Sequence, residues 1–203
     1  MAEPEPRLDF SKPSPLRLGG FLLVAAGGLL AGVAAVLTWV TVGLIDDKQN
    51  VLTQRYLGVD LLDGKIVLAA GLVLLGGIVV LRRVKGILQR RAVASVLIVA
   101  ALMIVGIAAA ATTSTYSRFG ERALQDMAKS AAAALKLPLD QARQRVDQIA
   151  SLGIDVSRGS GLWVALAGGL LGVMGGILSL TWALRREEST DIGDPSVSES
   201  ASG

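Results

Sequence analysis

The chain contains no cysteine and no histidine. Without cysteine there is neither a disulfide nor thiol redox chemistry. Without histidine the commonest metal ligand and the usual general base at neutral pH are missing. Aromatic residues make up only 4%, so the apolar mass is Ala, Leu, Val, Ile and Gly. Charge is absent over four long stretches: Leu18 to Ile45, Ile66 to Leu81, Ala92 to Ser117 and Gly159 to Leu184 carry no Asp, Glu, Lys or Arg. No P-loop, G-x-S-x-G or H-E-x-x-H pattern occurs. These absences speak against an autonomous enzyme, and they imply no cofactor and no metal site of ordinary type.

What is present is apolar. Of 203 residues 52% are hydrophobic and 24 are glycine, with a mean hydropathy of +0.56. A spanning helix needs about 20 apolar residues, and the first, third and fourth uncharged stretches meet that length outright. The second has 16 residues, roughly 24 Å of helix, and reaches a bilayer's width by taking in Leu61 and Leu62. The sequence therefore predicts an all-α polytopic membrane protein, a four-transmembrane-helix bundle. Its spans fall at about 18–42, 62–81, 92–113 and 160–184. The first run is longer than the roughly 7–15 residues of a signal-peptide core. Residues 1–17 and 185–203, rich in Pro, Ser and acidic residues, read as disordered cytoplasmic tails.

Orientation follows from Lys and Arg. The segment "RRVKGILQRR" contains five basic residues, Arg82, Arg83, Lys85, Arg90 and Arg91, and no acid. Arg7, Lys12 and Arg17 precede the first span, and Arg185 and Arg186 close the fourth. By the positive-inside rule these segments are cytoplasmic, in a plasma (inner) membrane, with both termini inside. Lipid attraction to the basic loop is a further use of the same charges. A nucleic-acid role is not expected for so short a tethered segment. Trp39, Trp163 and Trp182, near span ends, read as interfacial anchors.

The long outer segment repeats apolar residues at helical spacing. Leu124, Met127, Ala128, Ala131 and Leu135 form one set, and Leu139, Ala142, Val146, Ile149 and Ala150 another, with Pro138 between and Gly153 as a stop. This predicts an extracytoplasmic helical hairpin over about 117–153, between helices 3 and 4. Its apolar faces need a cover: each other and the span ends, a partner, or the membrane surface.

The shorter outer segment ends in "GVDLLDGK". Asp60 reads as the N-cap of the second span and Asp63 as an acid at the positive end of its helix dipole. The same residues, joined by Asp46 and Asp47, are the weak candidate for a divalent-cation site, since calcium takes 6–8 oxygen ligands. The D-G-x-x-A-R pattern of the CDP-alcohol phosphotransferases fails here, because "DGKIVL" lacks the A-R.

Within the spans, Gly168, Gly172 and Gly176 recur every fourth residue, with Gly161, Ala165 and Gly169 beside them and Gly28-x-x-x-Gly32 in the first span. This is a glycine-zipper pattern that lets helix backbones approach closely, within the bundle or against a partner. Pumps and coupled transporters use intramembrane ionisable groups to bind ions or relay protons. The four-helix multidrug exporters need such a Glu in the first span, and this chain has none.

The order of features is a first span ending at Trp39, then "GVDLLDGKIVLAAG", a basic hairpin, and a fourth span opening "GSGLWVALAGG". This resembles the small four-span membrane proteins of actinobacteria and related high-GC bacteria, mostly of unassigned function, over roughly residues 18–184. The topology is also similar to the claudin arrangement, without the claudin cysteine pair. The function expected is non-catalytic: an accessory or scaffold subunit of a cell-envelope membrane complex. It would contact lipid, and another membrane protein or itself, through span 4 and the outer hairpin. The alternatives are a self-assembling small-solute channel, for which Thr38, Ser95, Ser179 and Thr181 make a sparse lining, and a lipid-binding or lipid-handling protein.

Overall fold

The computed structural model describes residues 15–46, 49–84, 86–113, 115–151 and 153–191. Four helices are long and apolar enough to cross a membrane. They are α1 (Pro15–Val36), α2 (Leu62–Arg83), α3 (Ile87–Thr113) and α6 (Ser160–Asp191). Two further helices, α4 (Thr115–Leu135) and α5 (Leu139–Ala150), lie between α3 and α6. The helical class is as expected, and the chain adds to it a three-stranded antiparallel sheet. Strands β1 (Thr38–Asp46), β2 (Gln49–Leu57) and β3 (Ile154–Arg158) assemble in the order β2-β1-β3.

The spans form a ring in which α6 packs on α1 and α3, and α2 closes the other side against both. The α1–α6 seam is made of small residues. On α1 it runs through Gly20, Val24, Gly27 and Ala31, spaced alternately by four and three, which keeps one face toward a neighbour. Opposite them are Ser179, Gly175, Gly172 and Gly168. A Cβ placed on Gly27 would stand 2.6 Å from the Gly168 carbonyl oxygen and 2.8 Å from the Gly172 nitrogen. Backbone lies on backbone there, and only glycine permits it.

A spacing of four does not stay on one helix face, because each step turns roughly 40° past a full circle. Gly168 accordingly faces α1, and Gly176 faces Ile98 on α3. Gly172, between them, meets Ala101 and Leu74 while its backbone abuts Gly27. The glycines of the fourth span are thus taken up by contacts inside the chain. The same drift separates Gly28 from Gly32. Gly28 packs against Leu75 and Gly71 of α2, whereas a Cβ on Gly32 would meet nothing within 4 Å. Gly32 meets α2 through its backbone instead, its nitrogen lying 3.6 Å from where a Cβ on Gly71 would stand.

Several boundaries differ from the sequence expectation: α1 begins at Pro15, within the expected tail, and α3 begins at Ile87, so that Arg90 and Arg91 of the expected loop lie in it. The first span ends at Val36, not near residue 42, because Thr38 to Val42 is rich in β-branched residues and enters β1. Its apolarity, which lengthened the predicted span, serves the core of the sheet. At the other end, α6 continues through Arg185 to Asp191 and so includes residues expected in the tail. Residues 1–14 and 192–203 of the tails, with Asp47 and Lys85, lie outside the described residues.

Candidate functional site: the cap at one end of the bundle

The sheet, α4 and α5 all sit at the end of the bundle where α1 stops and α2 and α6 start. They form a cap. One face of the sheet carries Val40, Val42 and Leu44 of β1, fully or almost fully buried, with Tyr56 of β2 and Val156 and Ile154 of β3 beside them. Ala123, Met127 and Ala128 of α4, and Ala142 and Val146 of α5, complete this core. The alternate residues, Thr53 and Arg55 of β2 and Asp155 and Ser157 of β3, are exposed on the other face, with Thr41 half-buried between them. A two-faced sheet of this kind is what alternation of apolar and polar residues produces.

Trp39 joins cap to bundle. It corrects the sequence reading, which placed it as an interfacial anchor, because it is fully buried. Simple alternation would put Trp39 opposite Val40, yet both are buried. The register explains it: Thr38 pairs with Leu57 but Val40 with Tyr56, so Trp39 is the extra residue of a β-bulge. The bulge turns the indole toward the mouth of the helix bundle. There its Nε1–H donates to the Ala34 carbonyl at 2.7 Å, in the last turn of α1. Gly58 and Gly161 flank the ring, and a Cβ on either would stand 2.6 Å or less from indole atoms. The Trp39 carbonyl in turn accepts the Gly159 N–H at 2.8 Å, which fixes the start of α6.

Asp60 also differs from its expected role. It lies in a 3₁₀ turn, Gly58–Asp60, and its Oδ2 accepts the Leu57 N–H at 3.1 Å. The N-cap of α2 is Leu61, which supplies no side-chain cap, and Asp63 stands in the first turn. The chain needs this extra turn to change from strand to helix, so the acid that looks like a cap fastens the turn instead. Gly64 of α2 packs directly on the Gly58 backbone. The side chains of Asp46 and Asp47 are outside the described residues. Among the described residues no group of three or more Asp or Glu could hold a metal ion.

A second tie links β2 to α4. The Tyr56 hydroxyl donates to Asp126 Oδ2 at 3.1 Å, and Lys129 Nζ stands 3.8 Å from Asp126 Oδ1. Burial, then the charge of Asp126 and its hydrogen bond, push the Tyr56 pKa well above its ordinary value, while Arg122 works in the opposite direction. Beside this pair, Glu121, Arg122 and Gln125 of α4 and Arg143 and Asp147 of α5 line an open polar groove of about 420 Å³. Its two guanidinium groups and two carboxylates offer charge recognition.

At the opposite end of the bundle, Arg82 and Arg83 end α2, where cations favour the helix dipole. Arg90 donates from Nε to the Val84 carbonyl at 3.0 Å, and its guanidinium lies 5.4 Å from the Trp182 ring centroid. Trp182 is thus held by a cation–π contact to the first turn of α3. Trp163, near the cap, is 55% exposed on the outer surface of α6.

Four apolar helices in a ring, closed at one end by a small sheet and a helical hairpin, define a polytopic integral membrane protein. The chain belongs to the family described as tryptophan-associated transmembrane protein, which it matches over residues 21–191. This agrees with the resemblance drawn from sequence to small multi-span membrane proteins of unassigned function. No curated protein matches the chain.

Proposed function

We propose that the protein is a non-catalytic accessory or scaffold subunit of a membrane complex. It sits in the plasma (inner) membrane with both ends cytoplasmic, and it offers the cap to a partner on the outer side. The observation that carries this reading is the cap's polar sheet face. Thr53, Arg55, Asp155 and Ser157 are exposed on it, and β2 and β3 are each paired on one side only among the described residues. Strand edges of this kind accept an added strand, with side chains on the free face giving specificity. The glycine face of α6 is occupied by α1 and α3, so of the two partner surfaces expected from sequence, span 4 and the outer hairpin, the one kept is the cap that contains the hairpin. The basic α2–α3 turn supports the orientation. The family description associates its members with tryptophan. Carried to this chain, that association makes a tryptophan-handling protein the first partner to look for.

The experiment is purification from native membranes in gentle detergent, at native expression level, with co-purifying proteins identified. A stoichiometric partner that is lost in an Arg55→Glu, Asp155→Arg variant supports the reading. Recovery of the protein alone, as monomer or homo-oligomer, overturns it.

A second reading, lipid handling, is favoured by one feature. An apolar groove of about 300 Å³ runs between α1 and α2, floored by Gly28 and Gly32 and walled by Leu29, Val33, Leu72 and Leu75. A channel through a single copy is disfavoured, because Leu74, Leu97 and Ile104 are fully buried between the spans.

A further inference from the structure

The turn between α2 and α3 joins two helices that cross the membrane, so the chain itself fixes its height. Arg83 ends one helix, Ile87 begins the next, and only residues 84–86 separate them. The turn therefore lies in the headgroup layer on that side of the bilayer. Its charge is of one sign. Arg82, Arg83, Lys85, Arg90 and Arg91 follow in close succession, and no Asp or Glu occurs between Asp63 and Glu121.

One of these cations is held in place. Arg90 donates from Nε to the Val84 carbonyl at 3.0 Å, and its guanidinium lies 5.4 Å from the Trp182 ring centroid. The first contact sets the guanidinium beside the last turn of α2, because Val84 directly follows Arg83. The second sets it against α6. A recess of about 10 Å³ lies at this point, lined by Phe21 of α1, Leu81 of α2, Arg90 of α3, and Ser179, Trp182 and Ala183 of α6. Arg90 thus stands where all four spans converge. The recess has room for about one water molecule, so nothing larger enters it. Arg82 and Arg83 are exposed at the end of α2. Together the three arginines make a cationic surface at headgroup height.

We infer that this surface binds the phosphate of an anionic phospholipid, with Arg82, Arg83 and Arg90 as the residues that hold it. Opposite charge selects the phosphate, and membrane height selects its source, because a phosphate in that layer belongs to a lipid. Guanidinium groups suit the role, since their N–H groups meet phosphate oxygens in pairs. Arg90 is already oriented by the Val84 carbonyl and the Trp182 ring, so less freedom is lost when the headgroup arrives. Basic surfaces between spanning helices are suited to anionic headgroups. A lipid held there ties α2 to α3 and, through Arg90 and Trp182, to α6. The inference rests on the four spans alone and holds whether or not the cap has a protein partner.

Trp182 reports on the site directly. The Trp163→Phe protein is reconstituted in phosphatidylcholine bilayers that contain a small fraction of brominated phosphatidylglycerol or, in parallel, of brominated phosphatidylcholine. Trp39 is fully buried and gives the same background in both. Phosphatidylglycerol is expected to quench at the lower fraction, and native mass spectrometry is expected to retain one such lipid. Adding Arg82→Gln and Arg83→Gln should raise the fraction needed about 25-fold, at about fivefold for each basic residue near the surface. Both arginines are exposed, and unchanged Trp182 emission in phosphatidylcholine alone shows that the variant keeps its fold. Arg82→Lys with Arg83→Lys keeps the charge and should keep the preference. Equal quenching by the two lipids overturns the proposal, as does a preference that survives Arg82→Gln, Arg83→Gln. A preference without any retained phosphatidylglycerol assigns the effect to diffuse attraction and also overturns it.

Discussion

Tyr56 and Asp126 are 70 positions apart in the chain, and a 3.1 Å hydrogen bond from phenol to carboxylate joins them. It is a polar tie between the sheet and the hairpin, beside the apolar contacts of Val40, Val42, Ala123 and Met127. Tyr56→Phe keeps the ring and removes the donor, leaving Asp126 with Lys129 as its cation. A hydrogen bond to a charged but partly exposed acceptor contributes about 1 kcal/mol, and that loss is expected in denaturant unfolding of the cap.

The same pair gives a pH dependence. The Tyr56 pKa is raised in the folded protein by burial and by Asp126, so folding favours the protonated phenol. That contribution is complete below the unfolded tyrosine value of about 10 and is lost as pH rises through the higher folded value. Ultraviolet titration should show one of the two tyrosines ionising late. The late component should vanish in Tyr56→Phe, whose stability should fall less steeply above pH ~10.

Trp39 is the joint between membrane and cap. Trp39→Ala empties a site walled by Gly58, Gly161 and the last turn of α1, and a loss of about 3–5 kcal/mol is expected. In a Trp163→Phe, Trp182→Phe background, the remaining fluorescence should be blue-shifted and closed to aqueous quenchers. An interfacial tryptophan would be open to shallow lipid quenchers instead.

The glycines divide into two groups. Gly27→Ala forces a methyl onto the Gly168 and Gly172 backbones, and overpacking of this kind costs about 1–3 kcal/mol. At Gly19, Gly76 and Gly106 a Cβ meets nothing within 4 Å. Alanine there should be neutral or stabilising by up to ~1 kcal/mol through helix propensity. Unfolding in mixed micelles separates the groups, and equal effects would refute the seam described for α1 and α6.

Arg90 has two tasks, the Val84 carbonyl and the Trp182 ring. Arg90→Met should cost about 1 kcal/mol and speed proteolysis at the α2–α3 turn. Arg90→Lys should recover part of the ring contact but not the bond from Nε.

Much of the cap was hidden in the sequence for a definite reason. A mostly buried strand and the end of a transmembrane helix are both apolar runs, so "LTWVTV", residues 37–42, read as the end of the first span. The β-branched Thr38, Val40, Thr41 and Val42 were the available signal, and their alternation is broken by the bulge at Trp39. The strand β2, "QNVLTQRYL", is amphipathic with a polar outer face, and it read as loop because it lacks a strong apolar alternation. The helical hairpin was legible because both of its helices keep one apolar face over several turns and Pro138 marks the break.

The sequence by itself determined the number of spans, since a bilayer selects for length and apolarity, which are local properties. The distribution of Lys and Arg, likewise local, points to an orientation. Tertiary structure decided which glycine meets which helix, because a stripe of fourfold spacing rotates about the axis and needs two neighbours to receive it. It also decided that Trp39 is a buried joint, because its direction depends on a register with β2 that no single strand contains. The hydrogen bond between Tyr56 and Asp126 belongs to the same class: each residue is ordinary in its own segment, and only the folded chain brings donor and acceptor together.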